Sequence, residues 1–124
     1  HFARCIAAIA AGGVYRSPDL TGKAVEKPCR VMQARHAKTL LAYMRTVVAE
    51  GTGSGADYRG RSAGKTATAQ SGRYVQGREV LNTYFAGVYP FDNPRYAIVV
   101  MRENGTSGAA DCCPVFRRIV SSLP

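Results

Sequence analysis

The sequence predicts an α+β fold: a three-stranded antiparallel sheet flanked by helices on both faces. Three observations carry this prediction. Over 33–50, Ala37, Leu40, Leu41, Met44, Val47 and Val48 form a stripe at helical spacing. Segments at about 62–70, 82–90 and 95–102 read as strands, and the links between them are too short for parallel crossovers. The last of these contains Tyr96-Ala-Ile-Val-Val-Met101, apolar on both alternating sets, as a strand covered on both faces is. At 124 residues and 46% hydrophobic, the chain is long enough for one domain or one sizeable subdomain with a core.

Residues 2–11 read as a buried helix, alanine-rich, with Phe2, Ile6 and Ile9 on one face. No capping residue precedes it, so the helix looks cut, as if the chain starts inside a larger domain. Gly12-Gly13 ends it, and 14–18 is a short extended piece closed by Pro18. Residues 19–30, with Gly22 and Pro28, read as a loop or a short hairpin. The helix at 33–50 keeps Gln33, Lys38, Arg45 and Glu50 off its stripe and stops at Gly51-Thr-Gly-Ser-Gly55. After the strand at 62–70, residues 71–81 hold Gly72 and Gly77 and read as a connection. The strand at 82–90 is rich in aromatics, and Phe91-Asp-Asn-Pro94 is a turn by composition. A glycine-bearing turn at 103–109 leads to a final helix at 114–123, with Val115, Phe116, Ile119 and Val120 on one side.

Lys and Arg total 17 against 8 acidic residues, a net +9 that favours anionic partners. The charges are scattered, with one loose cluster at Arg59, Arg61, Lys65, Arg73 and Arg78. No aromatic-basic stacking pattern accompanies them, which argues against a nucleic-acid module. No apolar run reaches the length of a membrane span, and no signal peptide opens the chain. Cys5, Cys29, Cys112 and Cys113 show no metal spacing with each other or with His1 and His36, so no metal or cofactor is expected. A reduced, structural set is the default reading, with a Cys5–Cys29 bridge as the alternative.

The chemistry concentrates in Ser62-Ala-Gly-Lys-Thr-Ala-Thr-Ala-Gln-Ser71. Gly64-Lys65-Thr66 is not a phosphate loop, because the first glycine is misplaced and the element order is inverted. Ser62 and Lys65 match the Ser-x-x-Lys spacing of a nucleophile and its base, but that pair needs a helical turn between them, and a strand points them to opposite faces. On the strand, Lys65, Ala67 and Ala69 share one face and Gly64, Thr66, Thr68 and Gln70 the other. Small residues at 63, 64, 67 and 69 allow close approach of a ligand backbone. An edge strand can pair with an extended peptide, and lysine with threonine hydroxyls suits a carboxylate. The structural alternative is an edge strand blunted by a lysine.

Ala63-Gly-Lys-Thr-Ala-Thr-Ala-Gln70 resembles the Lys-Thr-Gly-Thr motif of penicillin-binding transpeptidases, especially the class B, monofunctional kind. Ala7-Ala-Ile-Ala-Ala-Gly-Gly-Val-Tyr-Arg-Ser-Pro18, Val47-Val-Ala-Glu-Gly-Thr-Gly-Ser-Gly55, Tyr84-Phe-Ala-Gly-Val-Tyr-Pro-Phe-Asp-Asn-Pro-Arg-Tyr-Ala-Ile-Val-Val100 and the segment 110–119 are similar to successive segments of that family, in order. The resemblance implies the C-terminal part of a penicillin-binding, serine β-lactamase-like domain spanning 1–124. It implies a parent D,D-transpeptidase that cross-links peptidoglycan stem peptides ending in D-Ala-D-Ala through a serine acyl-enzyme, and that binds β-lactams.

In that reading Lys65 serves the electrostatics around the nucleophile, Thr66 and Thr68 bind the terminal carboxylate, and the Thr68 N–H donates to the oxyanion. Ala67 stands where the motif has glycine, and no Ser-x-Asn occurs in the chain. The nucleophile is thus expected outside the chain, and the 124 residues alone are expected to be inactive. The resemblance also implies the extracytoplasmic face of a bacterial membrane, a role in division or cell shape, and partners in the missing N-terminal part of the domain or in a second copy joined through strands. A carboxypeptidase, a β-lactamase relative, or a β-lactam or wall-polymer sensor are the alternatives.

Overall fold

The computed structural model describes residues 1–17, 19 and 27–124. Helix α1 spans Phe2–Ala10, and Gly12 and Gly13 turn the chain out of it at φ 65° and 87°. The extended piece after it becomes strand β1, Val14–Tyr15, which pairs antiparallel with β2, Cys29–Arg30. Pro18 and the centre of the expected loop, Gly22 included, lie outside the described residues.

Helix α2 spans Ala34–Glu50. Its buried line is narrower than the sequence predicts: Ala37, Met44 and Val48 are buried, while Leu40 is 37% exposed. Arg45, expected off the stripe, is half-buried because its guanidinium bonds to the loop that leads into the sheet.

The main sheet has the order β3-β4-β5, antiparallel throughout, with β3 at Ala63–Val75, β4 at Arg78–Tyr89 and β5 at Tyr96–Glu103. The expected connection at 71–81 is instead mostly strand. Gln76 and Gly77 both take positive φ, 50° and 74°, which gives the tight turn whose twist matches a hairpin. Gly72, at φ 71°, lies in the register break between Gln70 and Tyr74. The two glycines therefore mark a bulge and a turn within one long hairpin. Ser71 fixes the bulge: its Oγ donates to Val80 O and accepts from Arg73 N at 3.1 Å, and Gly72 N donates to Glu79 Oε1 at 3.1 Å.

Helices cover both faces of this sheet. On one face Ile6 of α1 and Met44 of α2 pack on Ala63, Ala86 and Val88, with Ala97 and Val99 beside them. On the other face Phe85 meets Cys112, Cys113, Phe116 and Val120, with Val48 and Ala56 in the same cluster. The Phe85 and Phe116 rings meet edge-on at 4.7 Å between centroids.

The final helix differs from the expectation in phase. A short helix α3, Gly108–Asp111, replaces the end of the expected turn, capped by Ser107 Oγ, which accepts from Ala110 N at 3.1 Å. Helix α4 then spans Cys113–Ser121 and buries Cys113, Phe116 and Val120. Val115 and Ile119, expected on the core side, are 46% and 36% exposed. The two cysteines act as apolar side chains and rotate the buried line onto themselves. All four cysteines are free: Cys5 and Cys29 are exposed and unbridged, and Cys112 and Cys113 are buried.

Candidate active site

Strand β3 is an edge of the sheet, with β4 on one side and no strand on the other among the described residues. An edge strand keeps an outward row of N–H and C=O groups available for pairing. The register places Lys65 opposite Ala86, Thr66 opposite Phe85, Ala67 opposite Tyr84 and Thr68 opposite Thr83. Lys65 and Ala67 thus lie on the α1/α2 face, and Thr66 and Thr68 on the α3/α4 face.

Burial divides the stretch into an anchor and a ledge. Ser62, Ala63 and Gly64 are buried, Thr66 is half-buried, and Lys65 and residues 67–70 are exposed. The small residues at 63 and 64 serve packing and not ligand approach. Ala63 is fully buried under α1 and α2, and a β-carbon at Gly64 would overlap the Phe85 ring and lie 2.8 Å from Ala86 O. Ala67 and Ala69, by contrast, leave open surface.

Lys65 Nζ donates to Thr66 O at 2.8 Å and has no carboxylate among the described ion pairs. Thr66 Oγ1 lies 2.7 Å from Thr52 Oγ1, which comes from the loop after α2. Ser62 has a different task. Its Oγ accepts from Tyr58 N at 3.1 Å and its carbonyl accepts from Arg45 Nη1 at 2.7 Å. Ser62 and Lys65 are therefore not a nucleophile and its base. No role for Thr52 follows from residue type; the signals for it are its two flanking glycines and its place in the family-like segment 47–55.

The loose basic cluster disperses along the strand. Arg61 pairs with Asp92 at 2.9 Å, Arg73 with Glu103 at 2.7 Å, and Arg59 stacks on Tyr58 at 5.0 Å from the ring centroid. The Arg61 guanidinium holds the Asp92 carboxyl below the usual carboxylate range, and Asp92 raises Arg61 in return. Behind the ledge, Asp111 Oδ2 accepts from Thr106 N at 2.6 Å, Ser107 N at 3.0 Å and Thr83 Oγ1 at 3.1 Å, while Oδ1 accepts from Arg102 at 3.0 Å. The Thr106 N–H bond is foremost in pulling the Asp111 carboxyl down. Burial pushes the Cys113 thiol up to about 11, and neighbouring Cys112 adds to the shift, so Cys113 is no nucleophile at neutral pH. Among the described residues no group of three His, Cys, Asp or Glu side chains is placed to hold a metal ion.

The model of the penicillin binding protein transpeptidase domain matches residues 1–121. The chain belongs to this family. Its relatives include the penicillin-binding protein PbpB of Mycolicibacterium smegmatis, 35% identical over 86% of this chain and 19% of that protein. The peptidoglycan D,D-transpeptidase FtsI homolog of Chlorokybus atmophyticus is 30% identical over 76% of this chain and 15% of that protein. Among solved structures, the transpeptidase domain of the FtsI4 D,D-transpeptidase of Legionella pneumophila superposes at a TM-score of 0.69 and 27% identity, over 94% of this chain and 42% of that one. The transpeptidase domain of Burkholderia pseudomallei penicillin-binding protein 3 superposes at 0.73 and 26% identity, over 96% and 39%. A peptidoglycan synthetase of Bifidobacterium adolescentis shares the fold at a TM-score of 0.79 and 23% identity. The chain thus spans less than a fifth of these curated relatives and about two-fifths of the solved transpeptidase domains. No described helix is long and apolar enough to cross a membrane.

Proposed function

We propose that these 124 residues are the C-terminal part of the transpeptidase domain of a peptidoglycan D,D-transpeptidase. The observation that carries the reading is the β3 edge, which has no outer strand among the described residues, with Lys65 exposed and outside the described ion pairs and a ledge of small and hydroxyl residues beyond it. An extended stem peptide ending in D-Ala-D-Ala adds to such an edge by main-chain pairing. Thr66 and Thr68 hydroxyls donate to its terminal carboxylate, and Lys65 lends positive potential beside the nucleophile. A serine elsewhere in the parent attacks the penultimate carbonyl, and the Thr68 N–H donates to the oxyanion that forms. D-Ala leaves, and an amine of a neighbouring stem peptide resolves the acyl-enzyme. A β-lactam enters by the same route and stays. Ala67, in place of the motif's glycine, adds one methyl beside the bound ligand.

The parent works at the extracytoplasmic face of the membrane, where its substrate lies. The outer edge of β5, apolar from Tyr96 to Met101 and with no strand beyond it among the described residues, is the seam to the rest of the domain or to a second copy.

A fluorescent penicillin tests the reading. The full-length protein is expected to label covalently and lose the label on Lys65→Ala, while the 124-residue chain alone stays unlabelled. Labelling of the isolated chain would overturn the placement of the nucleophile. A full-length protein that binds penicillin but cross-links no stem peptide would point to a sensor.

A further inference from the structure

Thr52 owes its position to the turn that carries it. Gly51 N and Gly53 N both donate to Val47 O at 3.0 Å, so the chain folds back on the last turn of α2. A β-carbon at Gly51 would lie 2.9 Å from Val47 O, and one at Gly53 would lie 3.1 Å from Val48 Cγ2. Only a pair of glycines lets the loop close this tightly without displacement, and the closure delivers Thr52 Oγ1 to 2.7 Å from Thr66 Oγ1.

Each threonine hydroxyl has one proton, and the contact between them uses one of the two. Either oxygen is able to donate. A ligand carboxylate decides the matter, because it only accepts. With Thr66 as donor to Thr52, no Thr66 proton remains for the ligand. With Thr52 as donor, Thr66 accepts on one side and keeps its proton for the carboxylate on the other.

We propose that Thr52 is a positioning and specificity residue: by donating to Thr66 Oγ1 it fixes that hydroxyl and directs its proton to the carboxylate of an acid-terminated peptide or β-lactam. This rests on the assignment of Thr66 as a carboxylate contact. The hydroxyl pair is at the surface, so its effect falls on ligand discrimination and little on stability.

The test uses the full-length protein and two probes, benzylpenicillin and its methyl ester, which differ in the carboxylate. The measured quantity is the ratio of their acylation efficiencies. Thr66→Val is the control for the underlying assignment and is expected to lower the preference for the free acid at least as far as Thr52→Val does. Thr52→Val is expected to lower the preference about three- to tenfold, the worth of one hydrogen bond, through weaker binding of the acid, with an unchanged melting temperature. Thr52→Ser, which keeps the hydroxyl, restores it. A Thr66→Val protein with the wild-type ratio would overturn the carboxylate assignment and this proposal with it. If Thr66→Val lowers the preference and Thr52→Val does not, the proposal alone fails. Equal loss for acid and ester, with a lowered melting temperature, would show a merely structural role and also overturn it.

Discussion

Arg45 Nη1 lies 2.8 Å from Asp57 Oδ1, an ion pair that ties α2 to the loop running into β3. The same nitrogen donates to Ser62 O at 2.7 Å, and Asp57 Oδ1 accepts from Ser62 N at 3.3 Å. The residue just before β3 is therefore held by both members of the pair. The start of the ledge inherits its position from a helix through three polar contacts, with Phe91 under the guanidinium at 5.6 Å.

Arg45→Met keeps the aliphatic stem and removes the donors. The Ser62 carbonyl and the Asp57 carboxylate then lose their partner in a half-buried place. With the two side chains 21% and 30% exposed, solvent screens part of the loss. We expect destabilisation of about 1–2 kcal/mol in urea unfolding of the full-length protein. A change no larger than that of an ordinary surface substitution would mean that the link holds nothing.

Gly64 and Ala67 should respond in opposite ways. Gly64→Ala forces a methyl into the Phe85 ring and should cost about 1–3 kcal/mol, read as a lowered melting temperature. Ala67→Gly removes an exposed methyl and should cost no more than about 1 kcal/mol. Its effect belongs in acylation kinetics, where we expect faster reaction with bulky β-lactams. Identical rates for wild type and Ala67→Gly would show that the methyl does not meet the ligand.

Asp111 sets a pH dependence. Its folded-state carboxyl is held down, chiefly by the Thr106 N–H, so the unfolded chain takes up a proton first as pH falls. The stabilisation is complete above the ordinary carboxylate value of about 3.9 and is lost as pH drops through the lower folded value. Unfolding midpoints between pH 7 and pH 2 should fall in the acid limb, and Asp111→Asn should flatten that part of the limb while lowering stability at pH 7. An unaltered acid limb in Asp111→Asn would rule out this origin.

Thiol reactivity should separate the four cysteines. With Cys112 and Cys113 buried and Cys113 pushed up to about 11, iodoacetamide at pH 8 should modify Cys5 and Cys29 in the native protein and all four after denaturation. Peptide mass spectrometry reads the outcome. Native modification at Cys113 would contradict the packing of α4 against Phe85.

The sheet, its antiparallel order and its covering helices were legible in the sequence because their signals are periodic. Alternation in 62–70 assigns that strand its two faces, and the apolar run at 96–101 calls for cover on both faces, which the two core clusters supply. What escaped was set by contacts between segments. Gly72 and Gly77 look alike in the chain, yet one opens a bulge and the other completes a two-residue turn, because Ser71 and Glu79 bond across the hairpin. The phase of α4 depends on Cys113 meeting Phe85, which no spacing within 114–123 reveals. In the candidate site, Lys65, Thr66, Ala67 and Thr68 stand out by residue type. Thr52 does not, since what distinguishes it is a neighbour fourteen residues on in the chain.

The bulge between Gln70 and Tyr74 gives the ledge a length. From Lys65 to Gln70 the strand keeps one register, and at about 3.3 Å per residue that is roughly 20 Å. Beyond it the outward groups of the backbone fall out of step. From the lysine, β3 runs six residues before its register with β4 breaks. The hairpin arm past Gly72 is thus the end mark of a ruler, and its position follows from one serine hydroxyl and one glutamate carboxylate.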